Sequence, residues 1–410
     1  MIVSLCLIIA AIVMLGVVPA FAETDGSGDV PTEEPSPDPS PDPTPDPDPE
    51  PEPEPDPVDY QDIDADHWAA AAVAYTAEER DWLRFGTTHF RPGRALQRWQ
   101  LARAAVRAFA PEAALAPDVT FTDLTGGKKY RYANVAVSLG WFPASDAFNP
   151  TGTVSKRLLN RVIVRALGLA DEARSLDRIR TEDGSRLKTP KSFGYLVLGN
   201  ELALNYNFSS PEDGKDLYPW QKVRRDYAAA SFHRAATAGW RLWTARSFSD
   251  ITLPAMNRKR RTIVQFAFRY VGWPYVWGGE WHTAAGQPKG GYDWSGFQWW
   301  VAKRPDASFD NTAYRPYRGW QIGQRRASLI AKEAAKEDRL RYRALRPGDL
   351  VFFETGSQGG TWRGIDHGGV ALGNGWMIHS SGSRGGVTIS NIGDASWWRD
   401  TFVMGRKLFD

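Results

Sequence analysis

The sequence predicts two folded regions, an all-α region over residues 59–250 followed by an α+β domain over residues 251–410. The first prediction rests on a repeated unit of about 60 residues in which helical stretches alternate with short proline-containing turns. The second rests on the order of elements, because two helical stretches precede a series of strand-like runs joined by turn residues. Helices followed by an antiparallel sheet are typical of an α+β fold.

The N-terminal segment has the pattern of a signal peptide. Residues 1–18 are uncharged and apolar, and the segment ends in Ala20-Phe21-Ala22, an A-x-A cleavage pattern. We therefore expect residues 1–22 to be removed, with an uncleaved anchor as the alternative, since no Lys or Arg precedes the apolar run. The single cysteine, Cys6, lies in this segment. Cleavage would leave a cysteine-free secreted protein, located at the cell wall or cell surface.

Residues 23–58 alternate proline with acidic residues and contain no basic residue. Such a stretch cannot bury a core, so we expect an extended, disordered linker. It contains 13 of the 48 acidic residues, and residues 1–22 carry no charge, so the rest of the chain has 50 basic and 35 acidic side chains. A body with a net charge of +15 favours an anionic cell-wall polymer as partner, unless the basic residues serve only solubility. We expect no nucleic-acid partner and, after cleavage, no membrane partner.

Two stretches of the helical region share one order of motifs. The first has YQDIDADHWA and then Phe90-Arg91-Pro92 ahead of QRWQLARAAVRAF. The second has Phe121-Thr122-Asp123 and then Phe148-Asn149-Pro150 ahead of VSKRLLNRVIVRAL. A weaker third copy has Tyr218-Pro219-Trp220 ahead of KVRRDYAAASFHRA. The near-constant spacing predicts a repeated supersecondary unit.

These motifs resemble S-layer homology repeats, in which an F-x-D opening, a His-Trp-Ala helix start and an F-x-P turn precede a helix with a basic residue near its start. The resemblance implies a helical pseudo-trimer that binds an acidic secondary polymer of the bacterial wall. Arg98, Lys156 and Arg225 match the basic residue and are the candidate polymer ligands. The Thr and acidic residue that flank it in the family are clear in none of the copies. The alternative is a helical region in which the same motifs only cap and pack.

The C-terminal region has a distinct series of motifs. Residues 262–301 contain an amphipathic helix, a turn through Tyr275, a Gly-Gly pair and then Asp293-Trp294-Ser295-Gly296-Phe297 at the start of a second helix. Downstream, RPGDLVFF (346–353) predicts a turn and a strand. The run IDHGGVALGNGWMIHSS (365–381) predicts two strands joined by a Gly-Asn-Gly turn.

This order and spacing resemble the NlpC family of papain-like peptidases, which cut the γ-D-glutamyl bond in peptidoglycan stem peptides. In that family a cysteine begins the second helix, where the helix dipole lowers the thiol pKa. A base histidine begins a strand, and a polar residue about a dozen positions on orients it. The matching positions here are Trp294 for the cysteine, His367 for the base and His379 for the orienting residue.

The replacement of the nucleophile decides the chemistry that we expect. A histidine base needs a nucleophile within hydrogen-bond reach, and the indole of Trp294 cannot act as one. Ser295 follows it, but the next residue on a helix is rotated by about 100° and should point elsewhere. We therefore predict that His367 and His379 are a relic dyad, with Tyr275, Asp293 and Ser295 as residues of the binding cleft.

The sequence thus predicts a secreted, wall-associated protein whose peptidase-like domain binds peptidoglycan stem peptides or a wall partner without cleaving them. One alternative is an active hydrolase that uses an unforeseen nucleophile or a metal. A metal site would draw on Asp366, His367, His379 and His282, but their spacing is not typical of one, so we expect no metal and no cofactor. The other alternative is a surface scaffold that has lost ligand binding together with catalysis.

Tryptophan is abundant in the predicted C-terminal domain, which contains 11 of the 18 in the chain. We expect most of them in core and turn positions. Trp362 and Trp376 are candidates to face a sugar or a peptide in a groove, because aromatic faces are common in recognition sites.

Overall fold

The computed structural model describes residues 60–280, 290–303, 322–356, 363–394 and 396–409. The predicted signal peptide and linker lie outside these residues, as do His282 and Trp362. All of the described residues belong to one compact unit, Glu54–Asp410. Among the helices of this part of the chain, none is long and apolar enough to cross a bilayer.

The described part of the region predicted as all-α contains eight α-helices and one two-residue strand. The elements are α1 (Ala70–Val73), α2 (Arg98–Phe109), α3 (Gly127–Ser138), α4 (Lys156–Ala166), α5 (Ala170–Asp177), β1 (Arg180–Thr181), α6 (Phe193–Glu201), α7 (Arg225–Ala236) and α8 (Trp240–Arg246). A π-helical turn, Ala74–Glu79, continues α1. The sequence analysis missed β1, which pairs in parallel with β2 (Thr252–Leu253).

Two of the repeat helices begin at polar side chains that satisfy main-chain N–H groups. The Ser155 hydroxyl accepts a hydrogen bond from Leu158 N at 3.3 Å and so caps α4. At the start of α2, Gln97 and Gln100 form a capping box, with Gln97 N donating to the Gln100 side chain at 3.0 Å. Gly168 follows α4 with φ +73°, a conformation that ends a helix at little cost in glycine.

Main-chain hydrogen bonds join the three repeat copies in a closed triangle. Leu96 N donates to Val223 O at 2.9 Å, Val223 N donates to Val154 O at 2.8 Å, and Val154 N donates to Leu96 O at 3.0 Å. Each of these residues lies two positions before the helix of its own copy, which is α2, α4 or α7. The third copy, weak in sequence, therefore occupies the same structural position as the other two.

The aspartates that open the first two copies have one structural role. The Asp62 carboxylate accepts from Phe90 N and from the next main-chain N–H, both at 2.7 Å. The Asp123 carboxylate accepts from Phe148 N at 2.8 Å and from the next N–H at 2.7 Å. Each aspartate thus holds the F-x-P turn of its own copy, which explains the recurrence of both motifs at a fixed spacing.

The described part of the C-terminal region contains four further α-helices and six strands after β2. They are α9 (Arg258–Phe268), α10 (Trp294–Lys303), α11 (Ala327–Lys332), β3 (Arg339–Leu340), β4 (Leu350–Phe353), β5 (His367–Gly373), β6 (Trp376–Ser381), β7 (Gly386–Asn391), α12 (Trp397–Asp400) and β8 (Phe402–Arg406). The strands form one antiparallel sheet in the order β3-β8-β4-β5-β6-β7. This confirms the predicted helices followed by an antiparallel sheet.

The predicted turn between β5 and β6 is also present. Gly373, Asn374 and Gly375 all have positive φ, at +85°, +49° and +76°. Glycine and asparagine adopt this region more readily than other residues, so the Gly-Asn-Gly sequence favours the reversal of the chain.

Helix α10 packs against β5 and β6, α9 contacts α10, and α6 of the helical region packs against β7. One cluster of buried apolar side chains runs from Tyr60 to Phe409 and includes residues on both sides of position 250. The helical region and the sheet therefore share a core, while the domain boundary at residue 250 stays a prediction.

Candidate functional site

Asp293 fixes the start of α10. Its carboxylate accepts from Gly296 N at 2.6 Å, which caps the helix, and from Gly278 N at 3.1 Å, which ties the preceding Gly-Gly turn to it. Asp293 is 8% exposed. Trp294 is consequently the first residue of α10, where the helix N-terminus carries a partial positive charge. A thiolate would gain from that field, whereas an uncharged indole gains little.

Arg325 also bonds the residues at the start of α10, and the sequence analysis missed it. Its guanidinium donates to Ser295 Oγ at 2.7 Å, to Asp293 Oδ2 at 3.1 Å and to Gly279 O at 2.9 Å, and it pairs with Glu280. Ser295 Oγ also donates to Asp293 at 3.1 Å, and Ser295 is 3% exposed. Among the described residues, no hydrogen bond joins the Ser295 hydroxyl to a histidine.

The two histidines meet on neighbouring strands. His367 begins β5 and His379 lies on β6, and His367 Nε2 is 2.6 Å from His379 Nδ1. His379 Nε2 is in turn 2.9 Å from Ser390 Oγ on β7. If His379 donates to Ser390, its Nδ1 accepts from His367, and His367 Nδ1 is left with a lone pair. In this tautomer His379 holds the ring of His367, and His367 Nδ1 can accept a proton.

Both imidazoles are buried and neutral at physiological pH. Burial lowers the pKa of His367 from 6.5 to about 3, with Asp366 acting weakly in the opposite direction. Burial also lowers the pKa of His379 well below 6.5, and the charges of His367 and Arg384 act in the same direction. An imidazole in this state holds its proton weakly and is a poor base.

Aromatic rings surround His367. Its ring centroid lies 6.1 Å from that of Trp294, 4.8 Å from that of Trp398 and 6.5 Å from that of Phe353. Trp398 also lies 5.2 Å from His379. The sequence analysis missed Trp398, because nothing in the Ser-Trp-Trp segment indicates that α12 folds back over the histidine pair. The indoles explain the strong desolvation of His367.

Gln298, one turn after Trp294 on α10, is a second polar residue that the sequence analysis missed. It is fully buried, and its Nε2 donates to Val351 O at 3.0 Å and to Gly369 O at 2.8 Å. These bonds tie α10 to β4 and to β5, the strand that begins at His367. A single amide within the apolar segment FQWWV was the available signal.

Tyr275 lies next to the start of α10. Its main chain forms a bridge with Tyr292, the residue before Asp293, and its ring lies against Gly382. Burial raises the pKa of Tyr275 to about 12, and Asp293 adds to the effect. The phenol is therefore neutral and available as a hydrogen-bond donor. The binding role predicted for Tyr275, Asp293 and Ser295 stays a prediction.

Each of the three basic residues of the repeats donates a hydrogen bond to a main-chain carbonyl within the protein. Arg98 Nε donates to Phe148 O at 2.7 Å, and Arg225 Nη1 donates to Phe90 O at 2.9 Å. Each bond runs from one copy to the turn of another copy. Burial lowers the pKa of Arg98, and it lowers that of Arg225 to about 10. Their role as polymer ligands stays a prediction, and these contacts show that they also join the copies.

Lys156 completes the set. It is 1% exposed, and its Nζ donates to Leu217 O at 2.7 Å and to Gly272 O at 3.0 Å. Burial lowers its pKa to about 8, which Asp216 partly opposes. Leu217 directly precedes the turn of the third copy, whereas Gly272 belongs to the C-terminal region. The polymer role of Lys156 also stays a prediction, and its ammonium group links the two regions.

The structure shows the contacts of three residues that the metal-site alternative would use, Asp366, His367 and His379. The Asp366 carboxylate accepts from Thr355 N at 2.7 Å, Thr355 Oγ at 2.9 Å and Gly356 N at 2.9 Å, while the two histidines bond each other. No group of three or more His, Cys, Asp or Glu side chains suited to a metal ion occurs within the described ranges. His282 lies outside them.

Comparison with known proteins identifies a family model that matches the region containing this site. Residues 272–406 match the model of the NlpC/P60 family. The chain is 32% identical over 144 residues to the bifunctional muramidase/DL-endopeptidase CwlT of Bacillus subtilis, a match that covers 35% of this chain and 34% of the relative. It is 30% identical over 146 residues to the gamma-DL-glutamyl hydrolase of B. subtilis, covering 36% and 29%.

A solved NlpC/P60 family protein from Bacillus cereus shares 20% identity with this chain, with a TM-score of 0.27 and coverage of 39% of this chain and 42% of that one. The matches span about a third of the two B. subtilis relatives. The residues that match the family model include Trp294, His367 and His379. Residues 272–406 of this chain are an NlpC/P60 domain.

Proposed function

We propose that this chain is a secreted, wall-associated protein whose NlpC/P60 domain binds peptidoglycan and does not cleave it. One observation carries the proposal: the bonded pair of His367 and His379 faces the indole of Trp294, with ring centroids 6.1 Å apart, at the position where the family has its nucleophile. The single cysteine of the chain is Cys6, far outside the domain in sequence.

The chemistry of the surrounding groups supports inactivity. The Ser295 hydroxyl, nearest in sequence, is engaged by Asp293 and Arg325. Removal of the nucleophile from a comparable triad lowers the rate on the order of a million-fold. The low pKa of His367 further weakens it as a base.

Peptidoglycan binding is supported by the relatives, two of which are named a DL-endopeptidase and a gamma-DL-glutamyl hydrolase. We propose stem peptides as the ligand of the cleft near Trp294, with Tyr275, Asp293 and Ser295 among its residues. A relic site that keeps its fold can retain ligand contacts after its nucleophile is lost, because binding and bond cleavage depend on different groups.

For the helical region we propose attachment to an anionic secondary wall polymer. The closed triangle of three copies supports an S-layer-homology-like arrangement, and the net charge of +15 outside the first 58 residues favours an anionic partner. Arg98, Lys156 and Arg225 stay candidate ligands in this proposal, although each also bonds a main-chain carbonyl.

Digestion of purified sacculi tests the inactivity. The natural chain and Trp294→Cys are incubated with sacculi, and released fragments are identified by mass spectrometry. We expect no fragments from the natural chain and γ-D-glutamyl cleavage products from Trp294→Cys. The matched controls are Trp294→Ala, which removes the indole without adding a thiol, and the double variant Trp294→Cys/His367→Gln, which should both be silent. Cleavage by the natural chain would refute the proposal.

Co-sedimentation with the same sacculi tests the binding. We expect the natural chain in the pellet at low salt and less of it at high salt, because exposed charge contacts with an anionic polymer are screened. A chain that stays in the supernatant at low salt contradicts wall binding.

The aromatic side chains that cover His367 favour a second candidate function, that of a surface scaffold without a wall ligand. Trp398 and Phe353 flank His367, which is 8% exposed, so little of the imidazole can meet a peptide. Silence of Trp294→Cys together with failure to sediment would favour the scaffold.

A further inference from the structure

A groove of about 750 Å³ lies between the helical region and the sheet. Its walls come from the end of α6, from α8 and from the segment that joins β7 to α12. This volume falls in the range of sites that enclose small organic ligands. The groove is separate from the cleft proposed for stem peptides, and neither motif analysis nor family resemblance indicated it.

Three exposed indoles line this groove, which we call the tryptophan groove. Trp240, Trp243 and Trp397 are 62%, 78% and 56% exposed. Within the described ranges seven large apolar side chains are exposed by 44% or more, and three of the seven line this one concavity. Exposed apolar surface gathered in this way indicates a binding site, since scattered surface residues would be expected otherwise.

The charged groups of the tryptophan groove are paired within the protein. Glu201, which is 3% exposed, forms an ion pair with Arg384 and accepts from Thr244 Oγ at 2.8 Å. Asp394 pairs with Arg399 at 3.4 Å. A charged ligand would have to compete with these internal partners, so the groove favours a neutral one.

Hydrogen-bonding groups lie among the indoles. Thr244, Ser247 and Ser396 line the groove, and their hydroxyls already donate to or accept from neighbours while retaining further acceptor capacity. A pyranose ring matches this combination, because its C–H face stacks on an indole while its equatorial hydroxyls bond polar groups at the edge. Apolar side chains of a peptide would leave the remaining acceptor capacity of these hydroxyls unused.

The tryptophan groove ends next to the relic site. Trp398 lines the groove, and its ring contacts both His367 at 4.8 Å and His379 at 5.2 Å. Trp397 in turn lies 4.9 Å from Trp398. One indole therefore belongs to both sites, and a polymer bound along the groove passes beside the histidine pair.

We infer that the tryptophan groove is a carbohydrate-binding site for a neutral chain of linked pyranose rings, which stack on Trp240, Trp243 and Trp397. The site adjoins the stem-peptide cleft through Trp398 and needs no catalysis. Trp376, a sequence candidate to face a sugar or a peptide, is 7% exposed and packs against Phe248, so that role stays a prediction.

Titration calorimetry of the full chain tests this inference with two neutral probes, the β-1,4-linked tetramers of N-acetylglucosamine and of glucose. We expect at least one to bind with an affinity that salt does not change, because the charges of the groove are internally paired. Trp240→Ala and Trp243→Ala should each weaken binding on the order of tenfold, the size of one lost aromatic contact. Trp243 is the cleaner variant, since its high exposure leaves the fold little to lose.

The matched control is Trp220→Ala, which removes an indole of similar exposure, 55%, outside the groove and should leave the affinity unchanged. Binding of the amino-sugar tetramer alone assigns the groove to an N-acetylated glycan, and binding of both tetramers assigns it to pyranose chains generally. Absence of binding by both probes, or equal affinity in Trp243→Ala, overturns the inference. Sacculus binding that persists in that case leaves the proposed function standing, so the two failures are distinguishable.

Discussion

Lowering the pH from 7 to 5 should destabilise the folded chain through the histidine pair. Burial lowers the pKa of both His367 and His379 below the unfolded value of 6.5. Between the folded and unfolded pKa values the unfolded chain binds more protons, so the free energy of unfolding falls as the pH falls. The contribution is complete above pH 6.5 and, for His367, continues to be lost until about pH 3.

The magnitude follows from the position of pH 5 relative to the unfolded pKa. At about 1.5 pH units below that value, protonation of the unfolded chain reduces the free energy of unfolding by about 2 kcal/mol for one buried histidine. His367 meets this condition, because its folded pKa of about 3 lies well below pH 5. His379 shifts in the same direction and adds a contribution of the same sign.

Urea unfolding at pH 7, 6 and 5 measures the effect in the natural chain and in His367→Gln and His379→Gln. Carboxylates also titrate in this range, but they are common to all three proteins and cancel in the difference. We expect each variant to be less stable at pH 7. On acidification, His367→Gln should lose about 2 kcal/mol less than the natural chain, and His379→Gln should also lose less than the natural chain. Parallel curves for the natural chain and the variants would show that burial does not lower the pKa of these imidazoles.

Three further predictions concern residues outside the dyad. Asp293→Ala removes the cap of α10 and the partner of Arg325, so urea unfolding should show a loss of about 2 kcal/mol, whereas unchanged stability would contradict the capping role. Gly386→Ala should be strongly destabilising by thermal melting, because its φ is +141° and a Cβ there would collide with Trp273 O. The natural chain should gain stability between pH 8 and 10, because Lys156 has a pKa of about 8 when folded and 10.5 when unfolded. In Lys156→Met the free energy of unfolding should rise less over this range, and identical slopes would contradict the lowered pKa.

The sequence predicted the start of α10 and the hairpin of β5 and β6 because their motifs are local. The segment from Asp293 to Phe297 specifies a capped helix start, and the Gly-Asn-Gly turn specifies a hairpin. Together they bring Trp294 and the two histidines into one cluster, as the structure shows. Each element could be recognised from neighbouring residues alone, and the family order supplied their arrangement.

Arg325 and Trp398 could not be found in the same way. Arg325 reaches Ser295 across 30 residues, and Trp398 reaches His367 across 31, with no motif around either residue. The tryptophan groove is harder still, because Trp243 and Trp397 come from regions predicted to be separate domains. Such contacts depend on how the elements pack, and periodicity carries no information about that.

The basic residues of the repeats show a different limit of sequence analysis. The repeat pattern located Arg98, Lys156 and Arg225 correctly at three equivalent helix starts. A positive charge at that position is equally suited to a polymer outside the protein and to a carbonyl inside it. The structure adds the internal partner of each, such as Phe148 O for Arg98, and sequence alone could not supply it.

The persistence of an assembled histidine pair is not by itself a sign of catalysis. His379 is fully buried, and its two ring nitrogens lie within hydrogen-bond reach of His367 Nε2 and Ser390 Oγ. Replacing either histidine by an apolar residue would leave a buried polar group without its partner, at a cost of about 1–3 kcal/mol. Stability alone can therefore retain the pair whether or not the domain cleaves a substrate. Gain of cleavage by Trp294→Cys is thus the informative result, because it tests alignment for chemistry, which a purely structural role does not require.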